Sequence, residues 1–161
     1  MPTPAQEDYI EIICRLEIAR RRGGVRITDI AARLGTRLPT VTRTVQKLTE
    51  AGLLTHAIRQ EVHLTKEGRR IGMEIIHRHD DLVAFFTRFL GLSAKEAETD
   101  ACKIEHGLSG KAAQRLHVFM EYFENLPAQE QKQLIRFRRR VSQARKQFSN
   151  IPETKTNGWR S

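Results

Sequence analysis

Apolar residues recur at helical spacing along most of the chain. After Pro4, the residues Tyr9, Ile12, Ile13 and Leu16 form one stripe and predict a first helix. Arg20, Arg21, Arg22 and the Gly23-Gly24 pair close it, cations suiting the negative end of the helix dipole and glycines stopping the helix. Thr28 or Asp29 is placed to cap a short helix through Ile30, Ala31 and Leu34, ended by Gly35. Pro39 opens another, with Val41, Val45 and Leu48 on one face and Gly52 beyond its end. The pattern then changes. Leu53-Leu54-Thr55-His56 and Glu61-Val62-His63-Leu64-Thr65 partly alternate around a polar tip at Arg59-Gln60, which predicts a β-hairpin.

Helical spacing returns from about Glu67 to Leu90, with Ile75, His79, Leu82, Phe86 and Phe89 or Leu90 in one buried row. Gly91-Leu92-Ser93 breaks the chain, and Ser93 with Glu96 has capping-box spacing. One helix follows through Ala97, Ala101, Ile104 and Leu108, and another from Ser109 through Leu116, Phe119, Met120 and Phe123. Pro127 precedes a last amphipathic segment marked by Leu134, Phe137, Val141 and Phe148, and a polar tail begins at Pro152. Two short helices joined by a glycine-containing turn, then a hairpin, spell a winged helix-turn-helix within a mostly α protein.

Charge sharpens this picture. The 161 residues carry a formal charge of +9, unevenly spread. Residues 1–70 hold 13 basic and 8 acidic residues, residues 71–125 hold 6 and 9, and residues 126–161 hold 9 and 2. A basic section suits a polyanion and an acidic one suits cations. No apolar run approaches the ~18 residues of a membrane span, so no membrane partner is expected. The first residues, MPTPAQEDYI, lack the basic and apolar regions of a secretory signal. Two cysteines, Cys14 and Cys102, cannot build a disulfide framework, and a cytoplasmic protein is expected.

On the helix that starts near Pro39, Thr40, Thr42, Arg43, Gln46 and Lys47 point away from the apolar face, and Arg37 precedes it on the same side. Arginine pairs well with guanine, glutamine with adenine, and hydroxyls with phosphates and base edges. A winged helix lays this element in the major groove of double-stranded DNA and brings the wing's Arg59 near the backbone. The C-terminal run Arg136, Arg138, Arg139, Arg140, Arg145 and Lys146 reads as a solvated helix face or a flanking phosphate contact.

Within Cys102-Lys103-Ile104-Glu105-His106, positions i, i+3 and i+4 would bring a thiol, a carboxylate and an imidazole to one helix face. Asp8 and Glu11 are i, i+3 neighbours with two carboxylates, and His79 is an imidazole in an apolar row. Three helices could thus deliver Asp8, Glu11, His79, Cys102, Glu105 and His106 to one metal site. His77 cannot easily join His79, since i and i+2 point apart on a helix.

Together, EDYIEII, VRITDIAARLG, PTVTRTVQKLTEAGLL, LTKEGRRIG, RHDDL and DACKIEHGLS resemble the metal-dependent repressors of the diphtheria-toxin-repressor and manganese-transport-regulator family. The resemblance runs from about Thr3 to Ser109. It implies an N-terminal winged-helix domain, a helical metal-binding and dimerisation domain, and a homodimer that binds a palindromic operator when a divalent metal is present. It also implies repression of iron or manganese uptake genes. The division expected is 1–70 for DNA binding, 71–150 for metal binding and dimerisation, and 151–161 as a flexible tail. The chain stops before the SH3-like third domain of the iron branch, so none is expected.

Asp8, Glu11, His79, Glu105 and His106 fall on the ligand positions of the manganese branch. Cys102 stands where that branch has glutamate and resembles the iron branch, which in turn has methionine at Asp8. Val83 and Glu98 occupy positions where the iron branch places an ancillary carboxylate and histidine, leaving Glu98 as a further candidate ligand. Arg59-Gln60-Glu61 takes the place of Tyr-Arg-Gly in the manganese branch's wing. Carboxylates and imidazole suit Mn(II) or Fe(II), and a thiolate favours softer ions. The expectation is Fe(II) first and Mn(II) second, with Co(II), Ni(II) or Zn(II) able to substitute. Two other readings compete: a winged-helix regulator not controlled by metal, and a Cys102–His106 hydrolase. The second lacks any oxyanion motif, so no enzyme is expected.

Overall fold

The computed structural model describes residues 2–21, 23–56 and 61–148. The wing tip with Arg59 and Gln60 and the tail 151–161 lie outside the described residues, as do the side chains of Leu134, Arg138, Val141, Arg145, Lys146 and Phe148.

Helix α1 spans Pro4–Ala19. Thr3 caps it by a reciprocal box: its backbone N–H donates to Gln6 Oε1 at 2.9 Å, and its hydroxyl accepts from the Gln6 N–H. The buried face is Tyr9, Ile10, Ile13 and Cys14, with Ile12 only half-buried. This corrects the Tyr9-Ile12-Ile13-Leu16 stripe. Ile10 and Cys14 are four apart and take the inward row because the neighbouring helix approaches on that side.

Strand β1, Val25–Arg26, is a two-residue element that hydrophobic alternation could not reveal. Helix α2 spans Ile27–Leu34. Its cap is Arg26, with no side-chain bond, so neither Thr28 nor Asp29 caps it; Asp29 lies in the first turn and pairs with Arg20 at 2.8 Å. Gly35 ends α2 in the left-handed region at φ 62°, where glycine has no steric penalty. Helix α3, Leu38–Glu50, buries Val41, Val45 and Leu48 as the pattern required.

Strands β2 (Leu54–His56) and β3 (Glu61–Leu64) pair antiparallel with Leu54 opposite Leu64 and His56 opposite Val62. On the other side, β3 pairs β1 with Val25 opposite Val62, giving sheet order β1-β3-β2. Val62 and Leu64 point into the core while Glu61 and His63 are half-buried, the period-two signature of a strand. The wing is pinned to α1 by Glu17, which is fully buried. Its Oε1 accepts the Leu64 N–H at 2.9 Å, and its Oε2 lies 2.7 Å from the Arg69 guanidinium.

Helix α4 covers Lys66–Phe85 and loosens into a π-helical turn over Phe86–Leu90. Its inward row holds Ile75, Ile76, His79, Leu82, Phe86 and Phe89; Leu90 is exposed. Helix α5 is Ala94–Ile104, capped by reciprocal Ser93–Glu96 hydrogen bonds. A 3₁₀ turn, Glu105–Gly107, leads to α6 (Gly110–Glu124) and α7 (Ala128–Phe148).

The chain forms two compact units. The first holds Met1–Asp80 together with Cys102–Ser109. Its core gathers Ile10, Ile13, Val25, Ile30, Val41, Val45, Leu48, Leu54 and Val62 between the helices and the sheet. The second holds Asp81–Ala101 and the chain from Gly110. Its aromatic centre joins Phe85 and Phe89, stacked 5.4 Å apart, to Phe119 and Phe123 on α6, with Phe89 and Phe123 edge-to-face at 4.9 Å.

Candidate metal centre and nucleic-acid interface

The metal-ligand residue types gather inside the first unit. Pro4 and the Thr3 cap set where α1 begins, which puts Glu7 and Asp8 side by side near its start. Carboxylates there are favoured by the helix dipole. The partner segment is the turn after α5. The α-helical ladder stops at Ile104, so Glu105 and His106 leave the helical track that the i, i+3, i+4 spacing assumed. Ile104, expected inward, is 40% exposed, and Glu105 takes the buried place at 1%. Arg78 stabilises the turn by donating to the Glu105 carbonyl at 2.8 Å.

Around Glu105 two groups of ligand atoms form, each with its atoms within 4.8 Å of one another. One is His79, Cys102 and Glu105; the other is Asp8, Glu105 and His106. His79 Nδ1 lies 2.8 Å from Glu105 Oε2, and both side chains are buried. His106 Nε2 lies 2.7 Å from Asp8 Oδ1 and 3.5 Å from Glu105 Oε1. Its Nδ1 is 2.8 Å from Glu7 Oε2, a carboxylate that the sequence reading passed over. The available signal was the position of Glu7 four residues before Glu11 on the same helix face.

Electrostatics favour a cation here. Burial disfavours a charged His106, yet the hydrogen bonds to Glu7 and Asp8 and the charges of Asp8 and Glu105 outweigh it and hold the imidazole above its usual value.

Of the six residues expected at one centre, five fall in these two groups, with Glu105 shared. Glu11 stands apart among the described residues: its Oε1 accepts from Arg15 Nε at 2.8 Å. Glu98 is exposed and belongs to neither group. Thiol, carboxylates and imidazoles in partly buried reach of one another are a donor set that fits a divalent transition metal.

The outer face of α3 is equally clear. Arg37, Pro39, Thr40, Thr42, Arg43, Gln46 and Lys47 are all exposed, opposite the buried Val41, Val45 and Leu48. The Thr42 hydroxyl donates to the Leu38 carbonyl at 3.0 Å, and the Gln46 amide reaches Glu50 at 3.1 Å. Arg59 lies outside the described residues.

A helix-turn-helix with a wing, beside a thiol-carboxylate-imidazole cluster, defines the class of metal-responsive transcriptional regulators. Residues 1–62 match the family described as "Iron dependent repressor, N-terminal DNA binding domain", and residues 65–133 match "Iron dependent repressor, metal binding and dimerisation domain". The chain is 38% identical over 124 residues to the HTH-type transcriptional regulator MntR of Geobacillus kaustophilus (strain HTA426), covering 77% of this chain and 86% of that protein. It is also similar to a solved manganese-dependent transcriptional repressor in complex with manganese, at 28% identity and TM-score 0.64, over 73% of this chain and 53% of that one. The structure of the manganese regulator SloR gives 27% identity and TM-score 0.63, over 76% and 55%. The chain therefore spans about half the length of those two solved proteins. It belongs to the iron-dependent repressor family, the metal-dependent transcriptional repressors, with a DNA-binding domain followed by a metal-binding and dimerisation domain.

Proposed function

We propose that this repressor senses Fe(II) or Mn(II) through Asp8, His79, Cys102, Glu105 and His106 and binds a palindromic operator as a homodimer when loaded. The observation that carries this reading is the buried Glu105 carboxylate, whose two oxygens face His79 and His106 and so tie two groups of ligand atoms together. The carboxylates and imidazoles would hold the ion and Cys102 would add a softer donor. The preference is Fe(II) first and Mn(II) second, with Co(II), Ni(II) or Zn(II) able to substitute in solution. When bound, the ion would supply positive charge between Asp8 and Glu105, with Asp8 on α1, His79 on α4 and Glu105 and His106 in the turn after α5 as the residues that would hold it.

Because α1 also grips the wing through Glu17, holding α1 in place at Asp8 would favour one arrangement of the DNA-reading elements. That would be linkage: metal binding would shift the population towards the state that fits DNA, and DNA would tighten metal binding by the same factor. On this reading α3 enters the major groove, with Arg43 and Gln46 aimed at base edges and Arg37, Thr40, Thr42 and Lys47 at the backbone. Residues 1–70 supply DNA binding and 71–150 the metal and dimer functions. Val118, Tyr122, Ile135 and Phe137, apolar and more than half exposed on α6 and α7, supply a face for the second subunit.

A hydrolytic role for Cys102 and His106 is disfavoured. Both ring nitrogens of His106 face carboxylates, which leaves neither nitrogen of that imidazole to activate the thiol. No described helix is long and apolar enough to cross a membrane, and the proposed place of action is the cytoplasm. Anaerobic DNA-binding titrations with Mn(II), Fe(II), Co(II) and Zn(II) test the reading. Affinity for the operator should rise about 5–150-fold with metal and fall back with chelator. Binding indifferent to chelator would leave a winged-helix regulator without metal control.

A further inference from the structure

Inside the first unit, a cavity of about 380 Å³ opens between the start of α1, the end of α3 and α4. Pockets that hold small molecules span roughly 300–1,000 Å³, so this one has room for a small organic ligand. Its apolar wall is Leu48, Leu53, Ile71 and Ile75. Charged side chains complete the lining, and all but one of them are matched. Arg70 pairs with Glu67 at 2.7 Å and also with Glu74, both on its own helix. Glu7 Oε2 faces His106 Nδ1 at 2.8 Å. Arg78 is the exception. Its Nη1 donates to the Glu105 carbonyl, a neutral group, and its buried Nε has no hydrogen-bond partner among the described residues. No described carboxylate forms an ion pair with it.

We propose that this cavity binds a small organic monocarboxylate with an apolar body, its head group on Arg78, and that occupancy tightens metal binding at the neighbouring centre. A guanidinium offers its N–H groups as a fork that fits a carboxylate, and the charge strengthens each hydrogen bond. The aliphatic wall takes the body. One unmatched cation calls for one anionic group; a second would meet Glu7, Glu67 or Glu74. An inorganic anion would leave the apolar wall uncovered.

The coupling to metal rests on the sensing reading above. Two residues of the cavity wall touch two candidate ligands, Glu7 at His106 and Arg78 at Glu105. An uncompensated guanidinium beside Glu105 opposes the approach of a second cation. A carboxylate on Arg78 cancels that charge and leaves Nη1 on the turn that presents Glu105. By reciprocity, metal tightens the acid by the same factor.

Calorimetric titration of the metal-free full chain with octanoate tests the site. Octanoate should bind once per chain with a Kd below about 1 mM. Octanamide, the same body without the charge, should bind at least about tenfold more weakly, and so should octanoate to Arg78→Met. Ala51 is exposed and lines the cavity, so Ala51→Trp adds bulk there without entering the core. It should weaken octanoate at least about tenfold and keeps the test open if Arg78→Met does not fold. Inorganic phosphate should not compete. Anaerobic Co(II) titration reads the coupling: saturating octanoate should raise Co(II) affinity at least about threefold in the parent and not in Ala51→Trp. The site is overturned if octanoate does not bind, if octanamide binds equally, if phosphate displaces it, or if neither variant weakens it. An unchanged Co(II) affinity with octanoate bound overturns the coupling. A parent that binds octanoate but no Co(II) overturns the sensing reading and supports the anion site.

Discussion

His106 Nδ1 lies 2.8 Å from Glu7 Oε2, across 99 positions of sequence. Because Nε2 faces Asp8 and Glu105, the Glu7 carboxylate is placed to accept the Nδ1 proton and would leave Nε2 for an ion. A carboxylate behind a ligating histidine orients the ring and raises its basicity. Glu7→Ala should therefore weaken metal binding by about 10–100-fold while leaving the circular dichroism of the helices intact. Competition against a chelator of known affinity measures it. Unchanged affinity would show that Glu7 only pairs with His106 and has no part in holding the ion.

The two thiols should behave oppositely. Cys14 is fully buried and Cys102 is exposed. Burial raises the Cys14 pKa above its ordinary 9.0, with the nearby Arg69 opposing and Glu17 adding to the shift. A disulfide reagent should consume one thiol per native chain, Cys102, and the second only after denaturation. Metal should protect Cys102. The sign of the pH effect follows from linkage. The folded state keeps Cys14 protonated where the unfolded chain releases it, so this stabilisation is full below the unfolded value and fades as pH rises past about 9 towards the raised folded value. Alkaline melting curves should show a steeper fall for the parent than for Cys14→Ala.

Gly72 on α4 touches α1 so closely that an added Cβ would lie 2.9 Å from Cys14 Cβ and 3.1 Å from its Sγ. Helix propensity alone makes Gly→Ala stabilising by about 1 kcal/mol. The clash should win here, because the contact at Cys14 Cβ cannot rotate away. Gly72→Ala should lower stability by roughly 1–3 kcal/mol and weaken metal binding, since α1 carries Asp8 and α4 carries His79. Urea unfolding of the metal-free chain gives the first number and chelator competition the second. A stabilised variant would mean that the two helices separate freely.

Elements with strong periodicity are legible in the sequence itself. Helix α3, the β2–β3 hairpin and the Ser93 cap all followed from local rules, because local rules decide them. The rest depended on packing. Strand β1 is two residues long and exists because β3 offers an edge to Val25 and Arg26. Ile10 displaced Ile12 from the inward row of α1 through a tertiary contact that no window of sequence encodes. The candidate site was readable as residue types but not as an arrangement. Helical spacing placed Cys102, Glu105 and His106 on one continuous face; the helix ends at Ile104, and the turn divides them between two groups sharing Glu105. The pairing of Glu11 with Arg15 is an i, i+4 contact whose spacing the sequence already carries.

Arg43 provides the sharpest test of the DNA-reading surface. It stands exposed on α3, one turn from Lys47, and opposite the buried Val45 row. A phosphate contact and a base contact differ in what their loss does. Removing a phosphate contact weakens all duplexes alike and lowers the salt dependence by about one unit; removing a bidentate contact to guanine costs roughly 1–3 kcal/mol only on the right sequence. Arg43→Ala, measured with metal on an operator selected from a random duplex pool and on a scrambled duplex, should lose at least about tenfold on the operator and little on the scrambled DNA. Lys47→Ala should lose on both. Equal losses from both variants on both duplexes would reduce Arg43 to a backbone contact and move base recognition to Gln46 and its neighbours.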